Sequence, residues 1–185
     1  MEQFDHLSIF ISIIIALGFR HLILGFVSLI NFRGKIKLYY PTIVWMVFLM
    51  LLQLLIWWVL FYQHTTSDWR FYKFLLYLII PIGVSMMGHL LLPDLKPETD
   101  LEETYDHNRN WFFGLIAVIA FIGITQGSVS SSGFSFNLDL WFLIILFVLS
   151  ACGLFIRLKR MQFPLSLAFL VWIVAYISIF FTRLG

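Results

Sequence analysis

From Thr42 to Tyr62 not one residue carries a charge. Comparable apolar runs, with few or no charges, extend from Leu7 to Asn31, Trp69 to Leu92, Trp111 to Gln126, Leu138 to Ile156 and Phe163 to Thr182. A helix needs about 20 mainly apolar residues to cross the hydrocarbon of a bilayer, and a spanning segment must satisfy its backbone internally. Hydrophobic residues make up 61% of the 185-residue chain and charged ones 12%, where a soluble domain carries about 25% charged. A bilayer is therefore the solvent that this composition fits. The expected architecture is all-α: a polytopic transmembrane helix bundle of six spans, about 7–31, 42–62, 69–92, 111–126, 138–156 and 163–182, in a single domain over residues 1–185.

The ends of the runs carry interface signals. Tyr39, Tyr40, Trp57, Trp58, Tyr62 and Trp111 sit where aromatic belts form. Pro41 and Pro164 suit first turns of helices, where a missing N–H costs nothing. Pro81 falls inside the third run and should free the carbonyl of Tyr77 and kink the helix. The first residues, Met1-Glu2-Gln3-Phe4-Asp5, are acidic, so the first run reads as a retained helix. With the N-terminus outside, Arg33, Lys35, Lys37, Lys96, Arg109, Arg157, Lys159 and Arg160 fall inside, and Arg70, Lys73 and Arg183 outside. The positive-inside rule then places both termini outside and residues 93–110 in the cytoplasm, at an inner (plasma) membrane. The net charge of +2 points to no nucleic-acid partner, and the single cysteine, Cys152, forms no intrachain disulfide.

The polar residues inside the runs are the candidates for function. Gly18-Phe19-Arg20-His21 lies near the middle of the first run. On a helical wheel, Gly18, His21, Gly25 and Ser28 form one small-residue stripe suited to close packing. Arg20 continues a second stripe, Ser8, Ser12 and Ala16, so the first helix should be largely enclosed. Either interface is roughly 15 Å from Arg20, beyond full snorkelling, and no acidic residue lies at mid-depth. Gln53, the carbonyl of Tyr77 and Ser85 are the neutral partners expected there. Arg20, His21, Gln53, Tyr77 and Ser85 thus make a candidate ligand- or ion-binding cluster of cationic character. The same cluster also reads as purely structural, with Arg20 satisfied by Gln53, carbonyls and water; in a third reading Arg20 marks the inner interface and residues 21–32 lie along the membrane surface.

Residues 93–110 are the long hydrophilic connector. Asp94, Glu102, Glu103, His107 and Arg109, with His89 at the end of the third run, form a candidate cytoplasmic mouth or docking surface for a soluble partner. Thr99 or Asp100 could cap a helix that continues into the fourth span. The loop Gly127–Asn137, rich in Ser and Gly, reads as flexible. No cofactor is expected. Haem is the cofactor alternative, but His21 and His89 lie at depths about 9 Å apart, a poor match for bis-histidine ligation. No histidine or cysteine spacing suggests a metal.

The runs Gly18-Phe-Arg-His-Leu-Ile-Leu-Gly25, Trp57-Trp58 and Trp111-Phe-Phe-Gly114 resemble those of small bacterial multi-pass inner-membrane proteins of no assigned function. The resemblance covers mainly the first 115 residues. It implies a bacterial inner-membrane protein and brings no activity with it. Three functions remain open from the residues: a small homo-oligomeric channel or transporter with a buried cationic site; a non-catalytic membrane subunit or effector that docks a soluble partner; and a haem-binding or lipid-modifying membrane protein. The absence of a nucleophile near Asp106-His107-Asn108-Arg109 weighs against an enzyme without excluding one.

Overall fold

A computed structural model of the chain describes residues 2–62, 71–93, 95–130 and 138–180, with side chains described over 8–59, 74–93, 95–125 and 138–180. Six α-helices account for these segments: α1 (Glu2–Asn31), α2 (Tyr40–Tyr62), α3 (Phe71–Leu91), α4 (Leu101–Ser130), α5 (Leu138–Phe155) and α6 (Lys159–Phe180). All six are long and apolar enough to cross a membrane. The lipid-facing character is visible in what each leaves uncovered. Exposed positions on the helices include Ile13, Leu17, Leu54, Ile79, Phe121, Phe147 and Val171. Hydrocarbon tails suit such side chains as well as a protein core does.

The helices gather into two compact units, Met1–Asp106 and His107–Gly185. In the first, contacts fix the directions of α1, α2 and α3. Ile11 and Ile15 of α1 pack with Ile56, Phe74, Tyr77 and Leu78. Further along, Gly18 faces Gln53 and Ser85, and Gly25 faces Leu92. Numbers on α3 therefore climb with those on α1, while numbers on α2 fall. The α1 and α3 helices run parallel and α2 runs against them.

The turn after α1 is pinned to the segment before α4. Gly34 adopts a left-handed φ of 85°, where a glycine has no Cβ to clash. The Glu98 amide donates to the Lys35 carbonyl, the Lys37 amide to the Thr99 carbonyl, and the Leu101 amide to the Lys37 carbonyl. Asp100 then caps α4, accepting at Oδ1 from the amides of Glu102 and Glu103 at 2.9 and 3.3 Å. Its other oxygen takes the Lys37 ammonium at 2.8 Å, and Glu102 lies 3.4 Å from the same nitrogen.

In the second unit, the α5–α6 hairpin is antiparallel. The Trp172 indole donates to the Phe142 carbonyl, and the Tyr176 hydroxyl donates to Asp139. Trp172 and Tyr176 stack beside these bonds, and Phe142 and Phe180 meet them at tilted or edge-on angles. Phe113 of α4 packs on Phe169 of α6 and fills the space above Gly153 of α5.

Two boundaries differ from the sequence reading. The fourth helix starts at Leu101, after the expected cap at Asp100, but continues through Ser130, so the first residues of the Gly-Ser loop are helical. Residues 131–137 lie outside the described residues. The sixth helix starts at Lys159, which moves Pro164 from the first residue into the second turn. The third helix continues through Pro81, as the third run does in the sequence.

Candidate functional site

The polar atoms of the first unit collect where α1, α2 and α3 meet. Gln53 is 1% exposed, and neither its amide nitrogen nor its carbonyl oxygen has a hydrogen-bond partner among the described residues. Burying an unsatisfied donor or acceptor costs about 1–3 kcal/mol. The amide is pressed against Gly18, where a Cβ would stand 2.6 Å from Gln53 Nε2 and 3.1 Å from Ser85 Cβ and Oγ. Gly18 is thus the residue that lets the amide and Ser85 share one level of the seam.

One turn further along α1, the rings of His21 and His89 stack with centroids 3.7 Å apart and planes 12° from parallel. His21 Nε2 donates to the Leu92 carbonyl and His89 Nδ1 to the Ser85 carbonyl, both at 2.9 Å. A carbonyl only accepts, so these two nitrogens carry hydrogen and the neutral tautomers follow. The Leu92 carbonyl lies just past the end of α3, and the Ser85 carbonyl lies within the helix. A Cβ on Gly88 would stand 3.4 Å from Leu22 and 3.6 Å from His21, in ordinary van der Waals contact with both. A groove of about 380 Å³ opens beside the pair, lined by Ile14, Ile82, Ser85, Met86, His89 and Leu90.

This geometry changes the expected cluster in two ways. The depths of His21 and His89 are matched, not about 9 Å apart. The 30-residue α1 overruns the 21-residue α3, whose end at Leu92 meets Gly25 instead of the end of α1. The stacked rings nevertheless leave no slot between them for a haem, since an iron must sit in line with a nitrogen from each side. Arg20 is the second change. It lies on the exposed side of α1, in line with Ile13, Leu17, Leu24 and Val27, all exposed. It makes no hydrogen bond or ion pair among the described residues. The second stripe is open rather than enclosed: Ser12 is half-buried and Ala16 exposed. Tyr77 packs its ring with Ile11 and Ile15, nearer the start of α1 than Gly18. The structure therefore groups Gln53, Ser85, His21 and His89, and separates the Arg20 side chain and the Tyr77 ring from them.

The expected docking residues also divide. Glu102 is tied up with Lys37, whereas Glu103 and His107 are exposed. Arg109 is turned inward in the second unit, 6% exposed, and donates to the carbonyls of Ile156 and Leu154 at 3.0 Å. Gln162 joins it on the Ile156 carbonyl at 2.8 Å. A residue expected on the docking surface is instead a buried clamp on the C-terminus of α5. Its position before Trp111 carried no signal of this, because the carbonyls that hold it lie far along the chain. Asp94 lies outside the described residues.

Around the connector the charges shift as their contacts require. The hydrogen bond from Lys37, then those from the α4 amides, hold the Asp100 carboxyl below its usual range, against the opposing effect of desolvation. The same bond to Asp100 raises Lys37. Among the described residues, no three or more of His, Cys, Asp and Glu gather as a metal site would need.

The fold and its polar seam define a multi-pass, all-helical protein of membrane-spanning type. Compared with family models, curated proteins and solved structures, the chain matches none.

Proposed function

We propose that this is an inner-membrane protein, both termini outside, that works as a small transporter or channel with its solute site in the α1–α2–α3 seam. The observation that carries the reading is Gln53. Fully buried, with both amide atoms unsatisfied, it is the kind of intramembrane polar group that is retained at solute and ion pathways. Ser85 and the two histidines extend the polar surface along the same seam. The Arg20 side chain is not part of the site, because Arg20 stands on the exposed side of α1. An exposed arginine at mid-span costs about 2.5–3.5 kcal/mol on insertion scales, and a second copy of the chain against the Ile13–Val27 face would remove it from lipid. Homo-oligomerisation is part of the proposal for that reason.

Reconstitution into liposomes tests it. Purified protein should carry flux of at least one of a panel of monovalent ions, weak acids and small neutral solutes. Gln53→Met should lower that flux at least tenfold while raising the thermal midpoint, since it removes two unsatisfied polar atoms and nearly preserves volume. Unchanged flux in the variant, or none in the wild type, sinks the reading.

A further inference from the structure

We infer that the turn between α5 and α6 binds the phosphate of an anionic phospholipid through Arg157 and Arg160. The turn is held firmly from within. Buried Arg109 donates to the carbonyls of Leu154 and Ile156 at 3.0 Å, and buried Gln162 donates to that of Ile156 at 2.8 Å. The Met161 amide donates to the Leu158 carbonyl at 2.9 Å. The carbonyls of the turn are thereby engaged, while Arg157, Leu158, Lys159 and Arg160 stay exposed.

Charge points to an anion. Neither Arg157 nor Arg160 makes a hydrogen bond or ion pair among the described residues. From His107 to Gly185 the one acidic residue is Asp139. It stands at the other end of α5, where it accepts from the Tyr176 hydroxyl. Arg160 lies in the first turn of α6, which has no acidic residue, and a cation is disfavoured at that end of a helix. The basic residues after α1 are placed differently: Lys37 is paired with Asp100 and Glu102, and Glu98 is bonded through its amide to Lys35.

Depth points to a lipid as the carrier of that anion. Phe113 covers Gly153, and Arg109 reaches Leu154 and Ile156, so Trp111 between them is level with this end of α5. Trp111 is 73% exposed, Phe155 84% and Leu158 70%. Exposed aromatics at one level mark the boundary of hydrocarbon and headgroups. Basic residues just beyond it attract anionic lipid, and the guanidinium fork matches a phosphate. The apolar side chains beside the arginines favour a phosphate that carries acyl chains over a free one. The site does not depend on the solute path proposed for the α1–α2–α3 seam.

Thermal unfolding of the full chain in a neutral detergent, with added phosphatidylglycerol or phosphatidylcholine, tests the site. Phosphatidylglycerol should raise the midpoint at concentrations about tenfold below those at which phosphatidylcholine acts. Arg157→Gln with Arg160→Gln should abolish that preference, and Arg33→Gln with Lys35→Gln should keep it. Inorganic phosphate should not reproduce the shift. A fluorophore at Leu158→Cys, in a Cys152→Ser background, should be quenched more by phosphatidylglycerol spin-labelled near its glycerol than by phosphatidylcholine labelled likewise. A fluorophore at Leu38→Cys, beside the paired Lys37, should be quenched equally by both. The quenching pair decides the matter if the double arginine variant fails to fold. Equal action of the two lipids overturns the proposal, as does a preference that survives without the arginines or is lost with Arg33 and Lys35. So does a full effect of inorganic phosphate, or the same quenching pattern at Leu158 and Leu38.

Discussion

A methyl group on residue 153 would stand 2.3 Å from Phe113 Cε1, a contact that no rotamer of a packed ring relieves. Gly153→Ala should therefore destabilise by about 1–3 kcal/mol, the usual cost of overpacking, and lower the midpoint of thermal unfolding in detergent. Gly114 is the control. Nothing lies within 4 Å of its would-be Cβ, so Gly114→Ala should gain up to about 1 kcal/mol from helix propensity. Gly18 stands between these cases, because the end of a Gln53 amide can move where a phenyl ring cannot. At this scale the wheel positions of Gly18, His21 and Gly25 were legible in the sequence, since a spacing of three and four marks one face of any helix. The side taken by Arg20 was not. A cation flanked by small residues reads as enclosed, and only the packing of α1 on α3 shows which face is spent.

Between elements, the Lys37–Asp100 clasp links the end of the α1 turn to the start of α4. Asp100 has its folded carboxyl held below the ordinary value of 3.8. A depressed carboxyl stabilises the clasp above its unfolded value and loses that contribution as pH falls through the folded one. The protection factors of the Glu102 and Glu103 amides should therefore be highest at neutral pH and fall below about pH 3.8, and Asp100→Asn should show part of that loss at neutral pH. The two left-handed residues of the same region make a matched test. Gly34→Ala should cost about 1–2 kcal/mol and Glu98→Gly should recover a similar amount, because an L side chain pays about that much in this conformation; both have φ near 80°, at 85° and 77°. Thermal unfolding of the two variants measures the difference. The Asp100 cap could be read from sequence, as a short acidic residue just ahead of a helix. The stagger between α1 and α3 could not, because hydropathy sets the depth of each run separately and says nothing of the register between two of them.

For the whole chain, the six apolar helices were visible in run length alone, which is why the fold class was readable without a relative. An even number of spans puts both ends on one side. With the proposed orientation, reporters fused to the N- and C-termini should both be active outside, and a reporter inserted after Pro97 should be active in the cytoplasm; opposite activity at the two termini would contradict six crossings. Division into two units was less legible, since the boundary at Asp106 falls inside an unbroken helix that begins at Leu101 and ends at Ser130. Hydropathy marks where a helix crosses, not with which neighbours it condenses.

That boundary has a consequence for biogenesis. Every contact named for the seam, from Ile11 to Leu92, and the clasp from Lys35 to Glu102, lies within residues 1–106. Domains generally assemble in the order of synthesis. The histidine pair and the Gln53 level can therefore close while the ribosome is still adding α5 and α6. The later helices are made after the contacts of the seam are complete in sequence, so a fault in them should leave those contacts intact.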